Sequence, residues 1–323
     1  MRFAAAFAVL LAAGSTAALA QWPSKPVKVI VPFPPAGTSD LLGRVVSQKL
    51  SDALGEGFVV ENRPGAGGVL GAELAARAAP DGYTLLVSGI ATHVIAPALG
   101  RGQKAGTPYD PLRDFTHIAL FGGPPAVLVV NPSVAAKSLK EFVDLLKVNP
   151  KKYSYGSPGT GTQAQLVVEL FKQVAGVELQ HVPYKGGAGA MTDLIAGHIP
   201  AASTTLSTAA GQIHAGKARA LALSTAARLP DYPDLPTFAE AGYHELVATI
   251  WFSLSGPARL PEPIVARLNA EVRKALQLAD VREKLRPEGI EPGRLDAREF
   301  SNFVAEEIRR WGPIVRASGA KND

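Results

Sequence analysis

The fold is decided by one stretch of the chain, Val27 to Leu54, which reads VKVIVPFPPAGTSDLLGRVVSQKLSDAL. Valine and phenylalanine recur at every second position from Val27 to Phe33, and this period of two predicts a strand. The prolines that follow cannot continue a strand ladder, because proline has no N–H group to donate. Beyond Gly37 the apolar residues recur at helical spacing, which predicts a helix up to Leu54.

The turn between this strand and helix is suited to an anion. Thr38, Ser39 and Asp40 are all residue types that favour the N-cap of a helix. The first N–H groups of a helix have no partner within it, and the helix dipole is positive at that end. Many α/β proteins share this geometry, so the turn alone indicates an anion or a carboxylate and not which one.

A second stretch repeats the design later in the chain. Residues 153–162 read YSYGSPGTGT and precede an apolar helix from Leu166 to Val174. Thr162 and Gln165 have the spacing of a capping box. Either corner alone could be plain helix capping. The two together favour a ligand clamped between two lobes, in a crevice at the carboxyl ends of sheet strands.

Strands and helices alternate along most of the chain, which predicts mainly parallel sheets covered on both faces. The length suits two domains. A domain that is interrupted and completed later needs two crossings, and the strand-like runs Ile118 to Val130 and Val247 to Leu254 are the candidates. Asp296 with Glu299 is predicted to cap the last helix, and Thr237 with Glu240 a short one.

The N-terminal segment and the composition indicate an exported protein and exclude several kinds of site. Residues 1–20 combine Arg2, a short apolar run and an A-x-A site, the pattern of a secretory signal peptide. The sequence contains no cysteine, which excludes disulfides, thiolate metal sites and a cysteine nucleophile. The formal charge of +5 is scattered over the chain, so nucleic-acid binding is poorly supported.

No catalytic, metal-binding or dinucleotide motif is complete. A nucleophile elbow around Ser157 would need glycine where Tyr155 stands. The six histidines have no metal-like spacing, and His181 in an apolar strand is interpreted as structural. The glycines at 65, 67 and 71 approximate a dinucleotide fingerprint without the acidic residue expected after it, and tight turns explain them better.

Taken together, the motifs resemble the periplasmic solute receptors of tripartite tricarboxylate transporters, also called Bug-type receptors. The resemblance spans the chain from residue 22 and includes WPSKPVKVIVPFPPAGTSD, VVENRPGAGG, ARAAPDGYTLL, PYDPLRDFTHIAL, YGSPGTGT, HVPYKGGA, IHAGKARALAL, LPTFAEAG and LNAEVRKAL. It implies a two-lobed type II periplasmic binding protein, or Venus flytrap, which delivers an organic acid to a membrane permease.

The resemblance also implies where the ligand binds. Two pincer loops, residues 34–40 and 156–162, would hold its carboxylate through backbone N–H groups and hydroxyls, directly or through ordered water. The ligand-binding residues implied in this way are Phe33, Gly37, Thr38, Ser39, Asp40, Thr92, His93, Ser157, Gly159, Thr160, Gly161, Thr162, Ser203 and Thr204.

Two departures from the family pattern bear on the ligand. Ala36 stands where relatives usually have glycine, and its methyl group is expected to narrow the first loop. Thr204-Thr205 stands where relatives often carry an aspartate followed by asparagine. Because threonine cannot pair with an amino group as aspartate does, we expect a ligand without one, such as a dicarboxylate or an aromatic acid.

The resulting prediction is an exported, non-catalytic receptor for a small organic acid, with no cofactor and no metal. Residues 21–122 would begin lobe 1, residues 123–249 would form lobe 2, and residues 250–323 would complete lobe 1. The partner would be a membrane permease, and the protein a monomer. The alternatives are an exported α/β enzyme acting on an organic acid and a receptor that serves a membrane signalling sensor.

Overall fold

The computed structural model describes residues 22–35, 37–100 and 107–318. The predicted signal peptide and Ala36 lie outside the described residues. The strands are β1 Val27–Val31, β2 Phe58–Asn62, β3 Thr84–Gly89, β4 Phe115–Gly122, β5 Ala126–Val130, β6 Ser154–Ser157, β7 Gln180–Pro183, β8 Ala201–Thr205, β9 Arg219–Leu223 and β10 Phe252–Pro257. The helices are α1 Thr38–Leu54, α2 Val69–Ala76, α3 Ala96–Gly100, α4 Leu139–Val148, α5 Gln163–Ala175, α6 Gly187–Ala196, α7 Leu206–His214, α8 Glu262–Gln277, α9 Ala279–Leu285 and α10 Ala297–Ala317.

The strands form two sheets, each of five strands within the described residues. One has the order β2-β1-β3-β10-β4, and we call it and its helices lobe 1. The other has the order β7-β6-β8-β5-β9, and we call it and its helices lobe 2. In each sheet a single strand, β10 or β5, runs against the other four. The predicted α/β class, with a mainly parallel sheet in each of two lobes, is confirmed.

The opening strand and helix form the expected unit. Val27, Val29 and Val31 of β1 are buried together with Leu42 and Leu50 of α1 in one apolar cluster. Gly43 lets α1 lie close to the sheet, since a Cβ atom there would come within 2.9 Å of Val31. Burying a valine or leucine side chain contributes about 1.5–3 kcal/mol, so this stripe fixes the helix on the sheet.

The two chain segments that join the lobes lie side by side. Residues 123–125 connect β4 to β5, and residues 248–251 lead back into β10. The N–H group of Ile250 donates to the carbonyl of Pro124 at 3.0 Å, and Pro125 pairs with Thr249 in an isolated bridge. Gly123 permits this contact, because a Cβ atom there would lie 1.7 Å from the Ile250 carbonyl oxygen. The lobe limits after residues 122 and 249 remain a prediction.

Two local predictions differ from the structure. The residues at Thr237 form a turn and not a helix, although Thr237 and Glu240 do exchange the two hydrogen bonds of a capping box. The strand predicted from Val247 begins only at Phe252, because the residues before it belong to the crossing. The predicted Asp296–Glu299 capping box at α10 is present. Of the helices described, none is long and apolar enough to cross a bilayer.

Candidate functional site

A cavity of about 820 Å³ lies between the lobes. Both corners that the sequence singles out contribute to its wall, together with residues of the crossing segments. Its described lining residues are Phe33, Pro34, Pro35, Gly37, Thr38, Ser39, Gly67, Gly89, Ile90, Ala91, Ile95, Ala96, Leu99, Pro158, Thr160, Gly161, Thr162, Gln163, Ala164, Thr205, Ile250, Trp251 and Phe252. We call this space the interlobe cavity.

The first corner opens α1 without a side-chain cap. The N-cap residue is Gly37, with extended backbone at φ −91° and ψ 172°, and no side chain makes a capping hydrogen bond. The expectation that Thr38, Ser39 or Asp40 is the N-cap residue is therefore wrong, because the helix has already begun at Thr38. The N–H groups of a first turn have no partner within the helix, so this corner points donors and a positive dipole end at the cavity.

Asp40 braces the first corner and does not line the interlobe cavity. Its side chain is 7% exposed and accepts a hydrogen bond from the Nδ2 atom of Asn62 at 2.8 Å and from the Nε atom of Arg44 at 2.9 Å. The same Nδ2 atom also donates to the carbonyl of Phe33 at 3.1 Å. The aspartate thereby joins α1 to the ends of β1 and β2, which fixes the loop that carries the corner.

The second corner is a tight loop closed by its own hydrogen bonds. Gly159 and Gly161 have φ values of +146° and +78°, which favour glycine. Thr162 is the N-cap of α5, and its hydroxyl donates to the carbonyl of Gly159 at 2.7 Å and accepts from the N–H of Gln165 at 3.4 Å. The Oε1 atom of Gln165 accepts from the N–H of Gly161, so the predicted capping pair reaches back one residue further than in a standard capping box.

Ser157 lies beneath the second corner. Its side chain is fully buried, and its Oγ atom is 3.1 Å from the Gly159 carbonyl and 2.7 Å from the Nε2 atom of His181. Burial lowers the pKa of His181, which favours its neutral form. Neither Ser157 nor Gly159 is among the described lining residues of the interlobe cavity. Their hydrogen bonds hold the shape of the loop instead.

Thr92 and His93 also lie behind the cavity wall. Both are fully buried. The Thr92 hydroxyl bonds with the backbone N–H and carbonyl groups of Gly89. The Nε2 atom of His93 is 3.2 Å from the Oγ atom of Ser255, and its ring centroid is 5.1 Å from that of His117. Burial and the neighbouring His117 lower the pKa of His93 well below its usual value, so this residue offers the ligand no positive charge.

At the end of β8, Thr205 and not the predicted Thr204 lines the interlobe cavity. Ser203 and Thr204 are buried, and the Ser203 hydroxyl donates to the carbonyl of Ala164 at 2.7 Å. Thr205 is the residue that lines the interlobe cavity, and it is also the N-cap of α7. Because successive side chains of a strand point to opposite faces, a choice between neighbours cannot be made from sequence alone.

Sequence reasoning missed most of the apolar lining. Ile90, Ile95 and Leu99 come from the segment after β3, and Ile250 and Trp251 from the second crossing. The N–H of the Trp251 ring donates to the buried Glu307 carboxylate at 2.9 Å, and burial raises the pKa of Glu307. A signal for Trp251 was present, since a large aromatic residue at an interlobe crossing is well placed to face a cleft.

The interlobe cavity has an uncharged lining. None of its described lining residues is Lys, Arg, His, Asp or Glu. Within the part of the chain that the structure describes, no group of three or more histidine or acidic side chains is arranged to hold a metal ion. The favourable field for an anion therefore comes from helix N-termini and backbone N–H groups, which α1, α5 and α7 direct at the cavity.

Comparison with known proteins agrees with this architecture. The sequence model described as tripartite tricarboxylate transporter family receptor matches residues 42–320. Protein BugT of Bordetella pertussis is 37% identical over 300 residues, which cover 93% of this chain and 91% of BugT. A structure described as a periplasmic transporter is 39% identical, with a TM-score of 0.77, and the match covers 94% of this chain and 100% of that one.

A solved relative also carries a ligand. The protein Rpa4515 of R. palustris, whose structure was determined with adipate, is 34% identical, with a TM-score of 0.76 and coverage of 92% of this chain and 98% of that one. These matches extend over nearly the whole length on both sides. The chain therefore belongs to the tripartite tricarboxylate transporter receptor family.

Proposed function

We propose that this chain captures a small carboxylate between its two lobes in the periplasm and delivers it to the membrane permease of a tripartite tricarboxylate transporter. One observation carries the proposal. Two strand-to-helix corners, one from each lobe, line the same interlobe cavity. Adipate in the R. palustris relative supports a carboxylate as the class of ligand. Export through residues 1–20 as a signal peptide belongs to the same proposal.

The carboxylate would bind where the first turns of α1 and α5 meet. Backbone N–H groups of the two corners would donate to its oxygens, and the hydroxyls of Thr38 and Ser39 would add donors from lobe 1. Thr160 and the first turn of α5 would supply backbone N–H groups from lobe 2, while the N–H groups of Gly159 and Gly161 bond to Ser157 and Gln165 and hold the loop. In this arrangement Phe33 flanks the ligand, while Asp40, Thr92, His93, Ser157, Ser203 and Thr204 support the walls from behind.

The ligand is proposed to have no amino group. A protonated amine buried in the cavity would need an acidic partner, and the described lining residues include none. Thr204, at the position where relatives often carry an aspartate, is neutral and buried, and Thr205 beside it presents only a hydroxyl to the cavity. Neutral hydroxyls cannot compensate a buried ammonium group, so amino acids should bind far more weakly than the matching acids.

Closure of the two lobes around the ligand depends on contacts that the ligand makes with both corners. Rotating one lobe toward the other costs free energy, and a ligand can offset this cost only through interactions that exist in the closed state. The paired crossing segments at Gly123 and Ile250 are the place for such a rotation. A carboxylate that touches both helix N-termini makes those interactions.

A thermal-shift screen tests the proposal, because a bound ligand raises the unfolding midpoint by mass action. The panel contains dicarboxylates such as adipate, aromatic monocarboxylates, amino acids and the methyl ester of every acid. The expected result is a rise of the midpoint with at least one acid and none with its ester. A panel without any stabilising carboxylate, or an ester that stabilises as well as its acid, would refute the proposal.

Different experimental results would favour the two alternatives, an enzyme or a receptor that serves a signalling sensor. Conversion of the bound acid to a product on prolonged incubation would favour an enzyme. Uptake of the acid that persists when the permease is deleted, together with loss of a transcriptional response when this chain is deleted, would favour a sensor partner. Uptake that depends on both this chain and the permease is the result expected for a transport receptor.

A further inference from the structure

Gln163 is a buried polar residue that its own fold leaves unpaired. It is the first residue of α5, directly after the N-cap Thr162, and it is 3% exposed. Its Nε2 and Oε1 atoms have no hydrogen-bond partner among the described residues. Gln165, two positions later, does use its Oε1 atom within the loop, at 3.2 Å from the Gly161 nitrogen.

The unpaired amide belongs to the interlobe cavity. Gln163 is among the lining residues, beside the second corner where the carboxylate is proposed to bind. Leaving a buried donor and a buried acceptor unpaired is costly, and proteins seldom retain such groups without a use. A ligand that supplies both partners removes this cost at the moment of binding.

A carboxylate alone cannot satisfy both atoms of the amide. Its oxygens only accept hydrogen bonds, so they can pair with the Nε2 group and leave the Oε1 atom unpaired. A hydroxyl on the carbon next to the carboxylate supplies the missing donor at a suitable distance. A hydroxy acid thus presents a donor and an acceptor side by side, as the amide requires.

The rest of the lining favours a ligand with an apolar body. The side chains of Phe33, Ile95, Leu99, Ile250 and Trp251 face the cavity, and no described lining residue is charged. A second carboxylate placed among these side chains would find no cation. The volume of about 820 Å³ is ample for an aromatic ring.

We propose that the ligand is an apolar, preferably aromatic, monocarboxylate with a hydroxyl beside the carboxylate, and that Gln163 recognises the hydroxyl and the carboxylate together. This inference rests on the proposed function, since it takes the carboxylate to lie between the two corners. It makes Gln163 a specificity-determining residue of the cleft.

Calorimetric titration with matched pairs of acids tests the inference. Mandelate and phenylacetate form one pair, and 3-phenyllactate and 3-phenylpropionate the other, each pair differing by one hydroxyl on the carbon next to the carboxylate; adipate represents the dicarboxylates. The proteins are the wild type, Gln163→Met, which keeps the length of the side chain without its hydrogen bonds, and Gln173→Met, a control at an exposed glutamine of the same helix.

The wild type should bind the hydroxy acid of at least one pair about tenfold more tightly than its partner, because a site built for a hydroxyl rejects the analogue without it. In Gln163→Met this ratio should fall to within about twofold while the unhydroxylated acid still binds, and in Gln173→Met it should persist. The unfolding midpoint of ligand-free Gln163→Met should equal or exceed that of the wild type, since no protein hydrogen bond is lost.

Three results would overturn the inference. They are an absence of hydroxyl preference in both wild-type pairs, a preference that survives in Gln163→Met, and adipate binding more tightly than every aromatic acid. Each of them leaves the proposed function intact, because a carboxylate still binds. Failure of every carboxylate to bind would instead refute the proposed function itself.

Discussion

The brace under the first corner yields a prediction whose size follows from the structure. Replacing Asn62 with alanine removes the donor that serves both the buried Asp40 carboxylate, at 2.8 Å, and the Phe33 carbonyl, at 3.1 Å. A hydrogen bond to a charged group contributes about 1.5–3 kcal/mol and a neutral one about 0.5–1.5 kcal/mol. The third bond of Asn62, from the exposed Arg44 side chain, adds little.

We therefore expect Asn62→Ala to lower the free energy of unfolding by about 2–4 kcal/mol. Urea denaturation with linear extrapolation measures this loss. Asn302→Ala is the matched control, since Asn302 is exposed on α10 and its removal should change stability by no more than about 0.5 kcal/mol. Asn62→Ala should also weaken ligand binding in calorimetric titration, because the first corner would no longer be held in its binding shape.

A double-mutant cycle separates the brace from general damage to the fold. In an Asp40→Asn background the charged acceptor is gone, so Asn62→Ala should cost at least about 1 kcal/mol less than in the wild type. If Asn62→Ala proved as stable as Asn302→Ala, or if the cycle gave no coupling, the assignment of Asp40 as a brace would be wrong.

Three further perturbations probe other parts of the structure. Thr162→Ala should cost about 1 kcal/mol of stability in urea denaturation through loss of the α5 N-cap, and Thr162→Ser should retain most of it. Burial lowers the pKa of His117 from 6.5 to about 4, so the unfolded chain binds a proton first, and His117 alone should lower the free energy of unfolding by about 2 kcal/mol between pH 7 and pH 5. His117→Gln should remove this share and leave that of the buried His93, whose pKa is also lowered, whereas His244→Gln at an exposed position should not remove it. Gly123→Ala would place a methyl group 1.7 Å from a carbonyl of the opposite crossing and should cost more than about 2 kcal/mol, while Gly211→Ala, with open space around it, should be neutral or stabilising.

Local chemistry explains what could be predicted from sequence. The alternation before Pro32 and the stripe after Gly37 specify β1 and α1 without help from the rest of the chain. Gly159 and Gly161 adopt positive φ values, as glycines in a tight turn are expected to do. The alternation of strands and helices then predicts mainly parallel sheets covered on both faces.

Long-range pairing explains what could not be predicted. Asp40 looks like a capping or ligand-binding residue in sequence, and only the approach of Asn62 from β2 turns it into a brace. The choice of Thr205 over Thr204 depends on which face of β8 meets the cavity. Trp251 reaches the cavity because two distant segments cross beside each other. The roles of Asp40 and Thr205 have no signature within a short stretch of sequence, and that of Trp251 becomes visible only when its segment is placed at the crossing.

The most direct test of the central claim is a crystal structure of the protein with the tightest-binding carboxylate of the screen. The account predicts that the carboxylate oxygens lie within about 2.7–3.2 Å of backbone nitrogens from both corners, at Thr38 or Ser39 in lobe 1 and at Thr160 or Gln163 in lobe 2. A carboxylate that contacts only one lobe, or that binds outside the interlobe cavity, would contradict it.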